Sequence, residues 1–215
     1  MSDYKSQLTE TTRTLDHRDI PAGHGRAVSL VRVYHAAIDD VWDALTNPER
    51  IPRWFSPVTG DLRLGGHYQV QGNAGGEILR CEPPRMFALT WVFGEAPTEA
   101  DITEVVVRLT STDDEHTQLE LEHTAVVDPQ RWAQFGPGAV GVGWDLSMLG
   151  LGLHLEGGEP IADPNAWFAT PEARQFMTDS SEAWGQAHQA AGGTREEVET
   201  AVRNTTAFYV PEPEN

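Results

Sequence analysis

Two periods divide the chain. Residues 26–34 alternate around Val28, Leu30, Val31 and Val33, the period-two pattern of a strand. Ile38, Val41, Trp42 and Leu45 then fall at i, i+3, i+4 and i+7, which predicts the apolar face of a short helix. Asp39 and Asp40 lie in its first turn, where the helix dipole favours negative charge, and Asn47-Pro48 ends it. Residues 51–55 read as a second short helical turn and connector. Four strands follow at 62–64, 67–71, 77–82 and 86–93, separated by Gly65-Gly66, by residues 73–76 (Asn-Ala-Gly-Gly) and by Pro83-Pro84-Arg85. In the next strand Thr103, Val105, Val107 and Leu109 oppose Glu104, Arg108 and Thr110. In the one after it Thr117, Leu119, Leu121, His123 and Ala125 oppose Gln118, Glu120, Glu122 and Thr124. Such alternation is what an antiparallel sheet with one wet face requires. The acidic residues 112–116 join the two as a hairpin loop.

From 138 to 156 the period becomes helical. Trp144, Met148, Leu151 and Leu155 form one stripe, and Leu146, Leu149 and Leu153 a second beside it, so this helix is expected to be buried over more than half its circumference. Gly141, Gly143, Gly150 and Gly152 each cost a helix roughly 1 kcal/mol relative to Ala, which implies close approach of another element or a break near the helix start. Thr170-Pro171 opens a further helix with Phe176, Met177 and Trp184 in its stripe. Thr194 and Glu197 frame a capping box at the start of the last, whose stripe holds Val198, Ala201, Val202, Phe208 and Tyr209. This helical hairpin cannot bury its stripes alone and must fold back on the main domain or meet another subunit, a second copy of the chain included. Residues 1–25 are polar, carry no sustained period and read as a tail. The expected layout is therefore a tail (1–25), an α+β domain (26–157) in which one antiparallel sheet packs around a long helix, and a helical extension (158–215).

At 215 residues the chain is long enough for one domain plus an extension, against a prior of roughly 150 per domain. Its 15 basic and 33 acidic residues leave a formal charge of −18, with three basic against eleven acidic residues in 156–215. No segment is basic, so neither a nucleic-acid nor an anionic-membrane surface is expected. No run of 18 apolar residues and no basic-then-apolar leader is present, which makes the cytoplasm the expected location. Only Lys5 is a lysine, and it lies in the tail, so Schiff-base chemistry and a P-loop have no residue to use. Cys81 is the single cysteine and reads as a small strand residue. The eight histidines show no metal-ligand spacing, and no cofactor is expected. The glycine-rich residues 72–76 join two strands rather than a strand and a helix, which excludes a nucleotide loop. No Gly-x-Ser-x-Gly elbow occurs, and no carboxylates pair as acid and base.

The segment 41–50 (VWDALTNPER) with Trp54-Phe55 resembles the first helix of the START-like, or SRPBCC, superfamily. Residues 61–66 (DLRLGG), 82–85 (EPPR) through Thr90-Trp91, 119–124 (LELEHT) and 143–145 (GWD) resemble the branch named after the activator of the heat-shock protein 90 ATPase. The likeness covers about 26–157. It implies a helix-grip fold, a curved antiparallel sheet around a long C-terminal helix, often with a cavity between them. It also implies lipid, sterol, hormone or polyketide binding, and in a minority of members cyclisation or hydrolysis. The family name comes from a eukaryotic co-chaperone that also has a separate N-terminal chaperone-binding domain, for which 25 residues ahead of the core are too few.

On that fold Trp91, Phe93, Leu121, His123, Trp144, Met148 and Leu151 are expected to line the cavity. Phe87, Leu89, Trp91 and Phe93 share a strand face that is core and cavity wall at once. His123, on the apolar side of its strand, either is a buried imidazole satisfied by a backbone or Asp partner, the favoured reading, or serves a ligand or acid–base chemistry. Asp145 near the long helix's start reads as structural. Three functions follow in order: binding a small hydrophobic molecule without catalysis, an interaction or co-chaperone-like module acting through the acidic hairpin, and a cyclase- or hydrolase-like enzyme built on His123.

Overall fold

The computed structural model describes residues 4–94, 98, 101–158 and 164–211. Eight strands form one antiparallel sheet: β1 (Thr12–Ile20), β2 (Gly23–Tyr34), β3 (Val58–Gly60), β4 (His67–Val70), β5 (Gly75–Glu82), β6 (Met86–Trp91), β7 (Thr103–Ser111) and β8 (Thr117–Ala125). Their order across the sheet is β1-β2-β8-β7-β6-β5-β4-β3. The helices are α1 (Tyr4–Thr9), α2 (Ile38–Thr46), α3 (Pro129–Phe135), α4 (Gly138–Leu155), α5 (Pro164–Phe168), α6 (Pro171–Ala190) and α7 (Arg195–Tyr209). A 3-10 turn, Ile51–Arg53, follows α2. This is the α+β helix-grip architecture, with the sheet curved around α4.

The alternation in β7 and β8 sorts the chain by face. Val105, Val107, Leu109, Leu119 and Leu121 are buried under α4 and α2, and Leu30 and Val28 continue the same layer on β2. The Tyr34 hydroxyl donates to the Met148 carbonyl at 3.0 Å, which ties β2 to the middle of α4. β5 changes partner along its length. Its first residues pair with β4 and its later ones with β6, across an irregularity between Ile78 and Arg80.

Four local expectations are corrected. Within the expected tail, residues 4–25 are not free: α1 packs near α4 and α6, and β1 pairs with β2 from Thr12↔Val31 to Ile20↔Gly23. β1 is an edge strand whose outward positions are polar, so it has no apolar alternation to read. The strand expected at 62–64 is instead a loop, and the strand of that hairpin lies earlier, at β3. The strand expected to reach Phe93 ends at Trp91, with only an isolated bridge from Val92 to Gly75 beyond it. Finally α3, capped by the Asp128 side chain, was not expected between β8 and α4.

The long helix is buried on two sides. One carries Trp144, Met148 and Leu151 toward the sheet. The other faces α6, where Gly141 gives the Trp184 ring the space a Cβ would take. Gly141, Gly150 and Gly152 thus mark close approach, not a break. The apolar stripes of α6 and α7 fold back on their own chain: Ala173, Phe176, Met177 and Trp184 are all buried. Tyr209 donates to the Ala139 carbonyl at 2.6 Å, and Asn204 to that of Gln134 at 2.8 Å.

Asp145 joins three elements. Arg13 on β1 grips its carboxylate through two bonds of 2.8 and 3.0 Å, while Ser180 and Trp184 on α6 donate to Oδ2 at 2.6 and 3.0 Å. Both ionic side chains are almost fully buried. The carboxylate therefore has the paired, hydrogen-bonded surroundings that a buried charge needs.

Candidate functional site

Between the sheet's inner face, α2 and α4 lies a cavity of about 390 Å³, within the size range of small-molecule sites. Each wall follows from a period already described. α2 contributes Trp42 and Leu45 from its apolar stripe. α4 contributes Trp144, Ser147, Met148 and Leu151, spaced i, i+3, i+4 and i+7. The strands contribute alternate residues: Tyr68 and Val70 from β4, Phe87, Leu89 and Trp91 from β6, Val105 and Val107 from β7, Leu119 and Leu121 from β8. Trp54 and Phe55, just after the 3-10 turn, and Leu62 and Arg63, in the loop between β3 and β4, complete it. Trp91 and Trp144 meet with ring centroids 5.1 Å apart, and Tyr68 stands 6.5 Å from Trp91 on its other side.

Four polar side chains of this lining are committed to protein carbonyls. Thr46 donates to the Trp42 carbonyl at 2.7 Å, Ser147 to Gly143 at 2.9 Å, Trp54 to Ala44 at 2.9 Å and Tyr68 to Thr90 at 2.7 Å. Burial pushes the Tyr68 phenol further up from its ordinary range, so it stays neutral. Arg63 bears the only formal charge among the described lining residues, and its side chain is 79% exposed at the rim. A site of this kind selects by shape and apolar contact in its interior.

Of the seven residues expected in the lining, Trp91, Leu121, Trp144, Met148 and Leu151 reach the cavity and two do not. Phe93 lies past the end of β6 and is 61% exposed, its ring edge-on to Trp91 at 6.3 Å between centroids. His123 is buried but stands behind Trp144, bordering a separate void of about 70 Å³ shared with Val28, Trp132 and Val140. Sequence reasoning missed the wall made by Trp42, Trp54, Phe55 and Tyr68. The α2 stripe was a readable signal, but nothing local distinguishes a helix face that meets a void from one that meets packed core.

His123 is held in one tautomer. The Trp144 indole N–H donates to Nδ1 at 3.0 Å, so that nitrogen carries a lone pair and the proton sits on Nε2. Nε2 lies 2.7 Å from Thr103 Oγ1, whose own hydroxyl hydrogen goes to the Trp91 carbonyl. The ring is thus saturated by neutral partners. Burial lowers its pKa to about 4, and the occupied Nδ1 lone pair acts in the same direction. An imidazole so placed is neutral at pH 7, and it accepts a proton only by giving up its bond to Trp144. Among the described residues no cluster of histidine, cysteine and carboxylates is able to hold a metal ion.

A curved antiparallel sheet, a long helix across its mouth and an apolar cavity between them define a helix-grip protein. The chain belongs to the family described as activator of Hsp90 ATPase homolog 1-like protein, whose model matches residues 35–156. Its likeness to a solved structure extends further. The crystal structure of CalU16 from Micromonospora echinospora is 38% identical, with a TM-score of 0.66, over 83% of this chain and 98% of that one. The solution structure of the same protein gives 37% identity and a TM-score of 0.69 over 85% and 97%. A more distant match, an HSP90 activator from Plasmodium falciparum, is 22% identical with a TM-score of 0.52 over 61% of this chain and 96% of that one, and shares the fold. No curated protein matches. Because the CalU16 likeness covers over four fifths of the chain, it reaches beyond the residues that the family model matches. Among the described residues no helix is long and apolar enough to cross a membrane.

Proposed function

We propose that this protein binds a small, mostly apolar molecule in the cavity between sheet and α4 and performs no chemistry on it. The observation that carries this reading is a cavity lined almost wholly by apolar and aromatic side chains, with the hydroxyls of Thr46, Ser147 and Tyr68 already bonded to protein carbonyls. An occupant gains dispersion contacts with the lining, and it displaces no protein hydrogen bond to do so. His123, the candidate acid–base group, is walled off behind Trp144 and locked neutral. The hairpin α6–α7, the candidate docking element, spends the apolar stripe of α6 on its own chain and leaves Phe208 of α7 exposed.

The test is native mass spectrometry of protein purified from its own host, followed by denaturing extraction, on wild type and Leu121→Trp. The substitution fills the cavity from β8 and removes no polar partner. A reproducible adduct of small-molecule mass on wild type, absent from a folded Leu121→Trp, is the expected result. An adduct that survives the filling would place the ligand elsewhere, and a bare wild-type mass together with no uptake of added apolar probes would remove the reading.

A further inference from the structure

The cavity's charge inventory says more about the occupant than that it is apolar. Arg63 is the one charged side chain of the described lining, and it stands at the rim rather than inside. Its position is fixed by backbone. The Asp61 N–H donates to the His67 carbonyl at 2.8 Å, Gly65 N–H to that of Ile78 at 2.8 Å, and Ile78 N–H to that of Gly66 at 3.0 Å, so the loop is stitched to β4 and β5. Gly66 allows this stitching, because a Cβ there would run into the Asp61 carbonyl. Beside Arg63, Leu62 is 37% exposed and also lines the cavity, so an apolar and a cationic side chain flank the opening together.

The guanidinium has one carboxylate partner, Asp61, through a single bond of 2.8 Å from Nε, with both side chains more than half exposed. Exposed pairs of this kind contribute little and exchange readily, and Nη1 and Nη2 keep their donors for a second acceptor. Residues 50–85, which supply the 3-10 turn, the rim loop and one wall, carry five arginines against three carboxylates, while the rest of the chain carries ten basic residues against thirty acidic. Within residues 50–85 Arg50 is paired with Asp40 and Asp43, and Arg80 with Glu82, so the local sign at the mouth rests on Arg63.

Building on the ligand-binding reading above, we infer that the occupant is amphipathic: a hydrocarbon body fills the cavity, and a carboxylate at one end pairs with Arg63 at the mouth. Asp61 holds the guanidinium in place until the ligand carboxylate takes its free donors.

Isothermal titration calorimetry at low ionic strength and pH 8 tests this with two probes of equal chain length, decanoate and decanol. Wild type is expected to bind decanoate up to about fivefold more tightly than decanol, the size of one exposed ion pair. Arg63→Gln is expected to erase that margin, lowering decanoate affinity well beyond any change in decanol affinity, while Asp61→Asn strengthens decanoate severalfold by freeing the guanidinium. Equal affinity for both probes in wild type overturns the carboxylate assignment while sparing the cavity. A margin that persists in Arg63→Gln does the same, as does a parallel loss of both probes in that variant. Binding of neither probe overturns this inference and the ligand-binding reading together.

Discussion

At the scale of single residues, His123 carries the clearest pH signature. Its folded-state pKa, about 4, lies below its ordinary value of 6.5, so between those limits the unfolded chain binds the extra proton. The stability this group contributes is therefore complete above pH 6.5 and is lost as pH falls toward 4. By pH 5 about one and a half units of the shift are expressed, or ~2 kcal/mol relative to pH 8. Gln at this position keeps an acceptor for Trp144 and a donor for Thr103 but does not titrate. His123→Gln should therefore flatten the urea-unfolding stability between pH 5 and 7 by about that amount, even if it lowers the plateau. The downward shifts of His154 and His188 remain in both proteins and cancel in the comparison. Parallel slopes for the two proteins would show that His123 is not held neutral by its surroundings. The sequence placed this histidine correctly on the inner face of its strand. It was silent on Trp144, twenty-one positions away, which both satisfies the ring and screens it from the cavity.

At the scale of elements, α4 shows how a glycine's meaning depends on its neighbour. Gly141 and Gly143 carry the same intrinsic cost in a helix, roughly 1 kcal/mol relative to Ala. A Cβ at Gly143 meets only the Tyr209 hydroxyl at 3.4 Å, an ordinary contact, whereas one at Gly141 collides with the buried Trp184 ring. Gly143→Ala should therefore stabilise by up to ~1 kcal/mol. Gly141→Ala should destabilise by about 1–3 kcal/mol, the usual range for overpacking. Thermal melts of the pair decide it: two shifts of the same sign would mean that α6 does not lie where described. The strongly periodic elements β2, β7, β8, α2 and α4 were legible because one face of each meets the core. The elements that escaped are those whose burial does not come from their own apolar residues. β1 is polar at the sheet edge and anchored by Arg13, and α3 is a seven-residue helix with no fully buried side chain. Leu62 and Leu64 imitated a strand because their alternation reflects the cavity rim and solvent, not a sheet face.

At the scale of the molecule, the part outside the matched family region is fastened to it by charge as well as by apolar area. The Asp145 carboxylate on α4 takes bonds from β1 and from α6 at once, and Trp184, fully buried, sits on the helix surface that Gly141 leaves open. The reading of residues 158–215 as an extension followed from the Gly157-Gly158 stop and from where the family resemblance ends. The physics makes α6 and α7 part of one core with α4, since Phe176, Met177 and Trp184 belong to the same buried cluster as Leu30 and Leu119. Truncation after Gly158 would leave the Arg13–Asp145 pair without its two α6 donors and expose that cluster to water. Partnering losses at a buried charge cost several kcal/mol, and each uncovered large apolar side chain adds about 1.5–3 kcal/mol. Against a total stability of about 5–15 kcal/mol, the truncated chain is expected to be unfolded or aggregated at 25 °C. Circular dichroism and size-exclusion chromatography would show it. A truncated chain that stays monomeric with a cooperative melt near that of the full protein would mean that α6 and α7 are an appendage rather than core. The carboxylate can be tested without truncation. Asp145→Asn keeps the shape but removes the charge opposite Arg13, and a loss of about 3–5 kcal/mol is expected. Arg13→Met combined with Asp145→Leu should recover much of it, because the pair's worth lies mainly in not leaving either charge alone.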